Sequence, residues 1–156
     1  PSTLVNLQEL YCFGCPRLVA IPPTLVKLQR LVCRDCPLLT SIPSVLVDLE
    51  ELDCSICPLL TSIPSTLVNL QKLICCMCPL LTSIPPTLVN LETLECSGCP
   101  FVYVPRRYKR KSPVPSRGMR DALQRTRNKL ARHFLLNYTL DSHLLPPLIR
   151  LATNLI

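Results

Sequence analysis

Leucine recurs along the first two thirds of the chain with a period of 21 residues. Three positions are leucine in each of five successive units: Leu4, Leu25, Leu46, Leu67 and Leu88; Leu7, Leu28, Leu49, Leu70 and Leu91; Leu10, Leu31, Leu52, Leu73 and Leu94. A unit this short cannot bury its own apolar side, whereas stacked units share one core. The pattern therefore predicts a solenoid.

Cysteine and proline occupy fixed positions in the same frame. Cysteine follows the third leucine at Cys12, a Cys-Pro pair follows at Cys15, and an Ile-Pro pair begins at Ile21; the unit is LxxLxCxxCPxLxxIPxxLVx. Proline lacks an amide N–H and cannot continue a strand ladder, and the residue before it is held extended. These positions predict corners between short extended segments. The fifth unit departs from the pattern after Pro100, and we expect Tyr103 to cover the last core layer.

This unit resembles the leucine-rich repeat, whose core pattern is LxxLxLxxN/CxL, over residues 1 to about 105. The resemblance implies a short parallel strand around Glu9–Phe13 and its equivalents, on the concave side of an arc. We therefore expect an α/β-type repeat solenoid, a leucine-rich-repeat arc with 3₁₀ or extended convex segments and a helical C-terminal tail. Because Pro1 falls on the same repeat position as Pro22, we expect the first of the five units to be incomplete.

The resemblance also implies a binding face, because leucine-rich repeats contact partners through the residues that flank the inward strand positions. Tyr11, Phe13, Val32 and Ile74 would form an apolar patch with charges around it, as in many protein interfaces. The predicted partner-binding residues are Tyr11, Phe13, Val32, Arg34, Asp53, Ile74 and Glu95. The alternative is neutral drift at unconstrained surface positions of a duplicated array.

The nearly identical CPLLTSIP segments show a narrower resemblance, to leucine-rich-repeat proteins of giant DNA viruses of amoebae, of the marseillevirus type. That resemblance implies a host-interaction protein or a minor virion component. It would place the protein in the host cytoplasm or the virion.

Eleven cysteines invite three chemical interpretations. Cys12 and Cys15 followed by Cys33 and Cys36 match a zinc-ribbon spacing, but the repeat itself produces that spacing. Neighbouring strands of the stack would lie about 4.8 Å apart, which is within the Cα–Cα range of a disulfide. However, cysteines stacked in one column point the same way, so their Cβ atoms stay too far apart for a bridge. Redox chemistry through CxxC usually needs an exposed thiolate near a helix N-terminus.

We instead predict that the cysteines belong to the core. The first of each pair would act as a small buried hydrophobe, and the second would replace the family's ladder-forming Asn with an S–H group facing backbone carbonyls. So many buried free thiols suggest a reducing compartment and no metal or cofactor. We expect the extra thiol, Cys76, to react first.

Charge divides the chain into two parts. Residues 1–105 carry five basic and eight acidic side chains, a net charge of −3, whereas residues 106–156 carry twelve basic and two acidic ones, a net charge of +10. We predict a basic, proline-containing linker over 106–118 and a helical tail over 119–156, since Met119, Leu123, Thr126, Leu130 and Phe134 form one stripe. The predicted basic anchor is Arg106, Arg107, Lys109, Arg110, Lys111, Arg120, Arg125, Lys129 and Arg132.

Three interpretations of this tail stay open. Its helices could pack on the solenoid, dock on phosphate or an acidic protein surface, or lie on an anionic membrane. No paired carboxylates, catalytic triad or phosphate-binding loop occurs, and the only histidines are His133 and His143. No secretory signal or membrane-spanning segment is recognisable.

We therefore predict a noncatalytic protein-interaction module, not an enzyme, with a basic tail that anchors it to an acidic partner. The alternatives are a structural component of a virus particle and, more distantly, a nucleic-acid-binding protein.

Overall fold

The computed structural model describes residues 4–100 and 102–108, and within them the chain forms a stack of repeated coils. One strand belongs to each coil: β1 Glu9–Tyr11, β2 Arg30–Val32, β3 Glu51–Asp53, β4 Lys72–Ile74 and β5 Thr93–Glu95. All neighbouring strands are parallel, in the order β1-β2-β3-β4-β5. The register pairs Glu9 with Arg30 and Leu10 with Leu31, so each residue stacks on its equivalent one repeat away. The predicted repeat solenoid with parallel strands is confirmed.

The core consists of aliphatic side chains and cysteines stacked in columns. In the central coil, Leu46, Leu49, Leu52 and Leu60 are at most 1% exposed. Cys54 is fully buried beside them, as predicted for the first cysteine of each unit. Because all coils contribute equivalent residues, one continuous core runs along the stack.

Turns rather than helices connect the strands. Bonds between residues three apart close two successive turns after each Ile-Pro pair, for example Leu46 N–H to Pro43 O and Leu49 N–H to Leu46 O. The convex segments therefore follow the predicted 3₁₀-like or extended course, and no α-helix occurs in the described ranges. The predicted helical tail, 119–156, lies outside the described residues, as does most of the predicted linker.

One corner of every coil requires a left-handed backbone. The residues concerned, two after the first cysteine of each unit, have φ between 57° and 77°: Gly14, Asp35, Ile56, Met77 and Gly98. Glycine adopts this conformation at little cost, but Ile56 is β-branched and rarely does so. The stacking of equivalent corners holds Ile56 in place, as Ile56 N–H donates to Cys76 O at 2.8 Å.

The two ends of the stack differ. In the first coil Leu7, Leu10, Cys12 and Cys15 are only partly buried, whereas the last coil is covered by a 3₁₀ turn at Arg106–Tyr108. Tyr108 is 1% exposed, and its hydroxyl lies 3.1 Å from Pro85 O and 3.0 Å from Leu88 O.

The sequence predicts that Tyr103 covers the last core layer, and this prediction is wrong. Its side chain is 66% exposed, because residue 103 continues the extended edge of the stack through a bridge to Ser83. The covering aromatic side chain is Tyr108, five residues further along the chain.

Candidate binding face

The outer face of the five-stranded sheet is the candidate binding face. Each strand turns its central leucine inward, fully buried in β2–β5 and partly buried in β1, and its two flanking residues outward, which gives two parallel columns along the stack. The first column is Glu9, Arg30, Glu51, Lys72 and Thr93; the second is Tyr11, Val32, Asp53, Ile74 and Glu95. Below, these are called the first and second outer columns.

Five of the seven predicted partner-binding residues make up the second outer column, where each is the register partner of the next. The remaining two, Phe13 and Arg34, follow β1 and β2 and are exposed, with Phe13 at 65%. Tyr11 is 51% exposed, whereas Val32, Asp53 and Ile74 are half-buried. The structure brings the seven together along one side of the sheet, and their role in binding stays a prediction.

A polar network crosses the first three strands. The Tyr11 hydroxyl donates to Glu9 Oε2 at 2.8 Å and accepts from Arg30 Nη1 at 3.3 Å. Arg30 Nη2 also pairs with Glu51 Oε1 at 2.8 Å. The network orients Tyr11 and pairs Arg30, the only cation of β1–β3, with Glu51. Of the three carboxylates in these strands, Asp53 alone lies outside the network.

A shallow depression of about 110 Å³ lies further along the face, between β2 and β4. Its lining includes Val32 and Ile74, which are the register neighbours of Asp53 on either side. Glu51 and Lys72 of the first outer column line it as well. Asp53 Oδ1 accepts the Ser55 N–H at 3.1 Å, and within the described residues no cation pairs with this carboxylate. In the depression the Asp53 carboxylate therefore lies between two aliphatic side chains, with the charged side chains Glu51 and Lys72 at its edge.

The second cysteine of each pair forms a ladder of S–H donors along the stack. Four thiols lie close to the carbonyl oxygen of the first cysteine in the preceding coil: Cys36 Sγ to Cys12 O, 3.1 Å; Cys57 Sγ to Cys33 O, 3.2 Å; Cys78 Sγ to Cys54 O, 3.2 Å; Cys99 Sγ to Cys75 O, 2.8 Å. This confirms the prediction that these thiols face backbone carbonyls. We call these four side chains the thiol ladder.

The environment of several buried thiols favours their protonated form. Burial raises the pKa of Cys12 to about 11 and that of Cys57 to about 12, and it also raises the pKa of Cys33. Hydrogen bonds to neighbouring thiols, together with burial, raise the pKa of Cys75 and Cys78. A protonated thiol is the form that can donate to a carbonyl, so the pKa direction agrees with the ladder geometry at Cys36, Cys57 and Cys78. Cys99 is the exception, because hydrogen bonds from Cys75 and Cys78 lower its pKa.

Every described cysteine is a free thiol, and among the described residues no three His, Cys, Asp or Glu side chains are grouped to hold a metal ion. Cys76 is half-buried, as are Cys12, Cys15 and Cys96, and burial raises the pKa of Cys76. Cys76 is therefore buried to a similar degree as these three thiols. That Cys76 reacts first stays a prediction.

The predicted basic anchor falls mostly outside the described residues: Lys109, Arg110, Lys111, Arg120, Arg125, Lys129 and Arg132. Arg106 and Arg107 lie on the terminal 3₁₀ turn and are exposed. Arg107 Nη1 donates to Pro86 O at 2.9 Å, and its guanidinium lies 6.0 Å from the centre of the Tyr108 ring. Arg107 therefore also helps to hold the terminal turn in place.

A family model described as Leucine Rich Repeat matches residues 48–70, which include β3 and the turns that follow it. Together with the stacked parallel strands, this match supports a leucine-rich-repeat protein. No curated protein matches the chain, so the viral resemblance has no support beyond the repeat units themselves. Of the helices in the described part of the chain, none has the length and apolar character needed to cross a membrane.

Proposed function

We infer that this protein is a noncatalytic interaction module that binds a protein partner on the outer face of β1–β5. The observation that carries this proposal is the second outer column, which combines exposed or half-buried apolar side chains with acidic ones that form no ion pair within the described residues. Leucine-rich repeats generally mediate protein–protein interaction, and the family match supports the same class of function here.

The basic C-terminal part belongs to the proposal as an anchor. Its net charge of +10 over residues 106–156 would attract an acidic protein surface at long range. Arg106 and Arg107, fixed on the last coil, would present the start of that segment at the end of the stack. The anchor would then raise the local concentration of the partner without itself determining which partner binds.

A pull-down with matched variants tests the binding face. Ile74→Arg introduces a charge at the wall of the depression, whereas Val68→Arg makes the same change at an exposed valine outside the strands, 41% exposed. We expect the full-length protein and Val68→Arg to retain the same specific partner, and Ile74→Arg to lose it. Equal retention by both variants, with both folded by circular dichroism, would rule out the sheet face as the binding surface.

A further inference from the structure

Acidic side chains are concentrated toward one end of the candidate binding face. The five strands and the residue that precedes each carry six acidic side chains against two basic ones. One of those two, Arg30, is paired with Glu51. From β3 to β5 there are five acidic side chains, one of them the Glu51 that pairs with Arg30, and Lys72 is the one basic side chain, so this part of the face attracts cations.

The acidic side chains of the second outer column alternate with apolar ones. Along the stack the column runs Val32, Asp53, Ile74 and Glu95. Rungs of a sheet lie about 4.8 Å apart, so the carboxylates of Asp53 and Glu95 repeat roughly every 10 Å, with an aliphatic side chain between them. A ligand that matches this column needs cations at about the same interval.

The depression suits one long basic side chain. Val32 and Ile74 can cover an alkyl stem, and the Asp53 carboxylate can accept from its charged end, since lysine and arginine bury their stems while keeping the head polar. Lys72 of the first outer column also lines the depression, but it forms no ion pair with Asp53 among the described residues, so the carboxylate stays available to a ligand.

We propose that the acidic part of the face binds an extended basic segment of a partner protein, which lies along the second outer column with a lysine or arginine at every third residue. In a polyproline II conformation every third side chain points the same way, and three residues rise about 9.3 Å, close to two rungs of the sheet. One cation then occupies the Asp53 depression while another reaches Glu95. This assignment rests on the proposed function, because it names the partner for the same face.

The test uses the full-length protein and two fluorescent peptides of identical composition. In the first, single lysines are separated by proline pairs; in the second, the lysines are adjacent and the prolines follow. We expect the spaced peptide to bind more tightly, measured by fluorescence anisotropy at low ionic strength, because only its lysines match the column. Equal affinity for the two peptides, or no binding of the spaced peptide, would overturn the proposal.

Variants of equal charge locate the site. Asp53→Asn should weaken binding of the spaced peptide about tenfold, since it removes a charge-assisted contact. Asp48→Asn serves as the control, because it removes the same charge from a residue outside the strands that pairs with Lys27 at 3.3 Å. Lys72→Thr should strengthen binding by removing a like charge beside the column. An equal effect of Asp48→Asn and Asp53→Asn would show general electrostatic attraction and refute the site.

A third peptide, covering residues 106–118 of this chain, distinguishes a separate partner from a second copy. If that peptide binds at Asp53 more tightly than the spaced lysine peptide, the occupant is this protein's own basic segment and the assignment to a partner is wrong. The pull-down with Ile74→Arg is read separately. If Ile74→Arg loses the partner in the pull-down but the wild type does not bind the spaced lysine peptide, the proposed binding face stands. Only the proposal of a basic ligand is then wrong.

Discussion

At the residue scale, cysteine has two different tasks in this fold. The first cysteine of each pair, such as Cys33 and Cys54, is a small buried side chain inside the leucine core. The second, such as Cys57, satisfies a carbonyl at a place where the strand ladder has ended. Both tasks need the protonated thiol. Burial of the first cysteine and S–H donation by the second are therefore sufficient to explain the regular cysteine spacing.

The ladder makes Cys57→Ala a direct test. The substitution removes the S–H donor that lies 3.2 Å from Cys33 O and leaves a small cavity, so we expect the free energy of unfolding to fall by about 1–3 kcal/mol. Urea unfolding measures it. Cys15→Ala is the control, because Cys15 is half-buried and its Sγ lies 3.8 Å from Phe13 O, in its own coil. Equal losses in the two variants would contradict a specific role for the ladder.

Ser55 is a local flaw in the central coil. Its side chain is 6% exposed, and its hydroxyl has no hydrogen-bond partner among the described residues. Burying a hydroxyl without a partner costs free energy, so we expect Ser55→Ala to stabilise the protein by about 1 kcal/mol in urea unfolding. Ser97→Ala, two coils further in the same position and only half-buried, should change stability less. Destabilisation by Ser55→Ala would show that the hydroxyl is satisfied in solution.

At the element scale, strands of three residues are stable only because equivalent residues stack. No strand here would persist alone, but each is paired on its neighbours in unbroken register. The left-handed corners and the turns after each Ile-Pro pair repeat in the same way. The last coil lacks a following coil in the described ranges, and the 3₁₀ turn with Tyr108 takes its place.

The terminal turn can be tested at its aromatic side chain. Tyr108→Ala should lower the free energy of unfolding by about 3–5 kcal/mol, because it uncovers the last core layer. Tyr108→Phe keeps the ring and should cost about 1–2 kcal/mol through loss of the hydroxyl contacts to Pro85 O and Leu88 O. Tyr103→Ala, at a side chain 66% exposed, should lie within about 0.5 kcal/mol of the wild type. A large loss of unfolding free energy from Tyr103→Ala would show that Tyr103 also covers the last core layer.

At the scale of the whole molecule, stability is a sum over coils and the interfaces between them. The coil with β1 is less buried than the coils with β2 to β4, and its leucines Leu7 and Leu10 are only partly covered. The coil with β5 is held by the terminal turn. The stack is therefore asymmetric along its axis, with a weaker end at β1.

Native-state hydrogen exchange should show this asymmetry. We expect the Cys12 amide, bonded to Val32 O at 2.8 Å, to exchange faster than the Cys54 amide, bonded to Ile74 O at 2.9 Å, although the bonds are equally short. The reason is burial, since Cys12 is half-buried and Cys54 fully buried. Equal protection of the two amides would mean that the β1 end is covered in solution.

Alkaline pH should destabilise the fold through its thiols. Burial raises the pKa of several folded thiols above the ordinary value near 9, to about 12 for Cys57, whereas neighbouring thiols lower the pKa of Cys99. Above pH 9 the thiols with a raised pKa keep protons in the folded chain that the unfolded chain has lost. The free energy of unfolding is then unaffected below about pH 8 and falls as pH rises from about 9 toward these raised values, by up to about 1.4 kcal/mol per pH unit for each such thiol.

Urea unfolding in reductant between about pH 8 and pH 10.5 measures that decline. Cys33→Val, which replaces a fully buried thiol by an aliphatic group of similar size, should reduce the slope by one thiol's share. A flat profile in the wild type, or an unchanged slope in Cys33→Val, would contradict buried protonated thiols as the cause.

Much of the fold followed from the sequence because the repeat imposes it. A constant period places Leu31, Leu52 and Leu73 in one column. A one-residue shift of any coil would expose its leucines, so only one register buries them all. The inward cysteines and the second outer column follow from the same frame. For the same reason the sequence predicts that the second thiol of each pair faces backbone carbonyls, whereas the particular carbonyl, that of the first cysteine in the preceding coil, comes from the structure.

The tertiary structure alone decided what the repeat does not specify. The pairing of Arg30 with Tyr11 and Glu51 depends on which of several side chains meet across the rungs. The depression at Asp53 exists because its neighbours in the column are Val32 and Ile74, and Tyr108 rather than Tyr103 closes the stack because the chain path after Pro100 leaves the period. A period determines positions that every coil shares, whereas contacts between non-equivalent side chains arise only when the coils are packed.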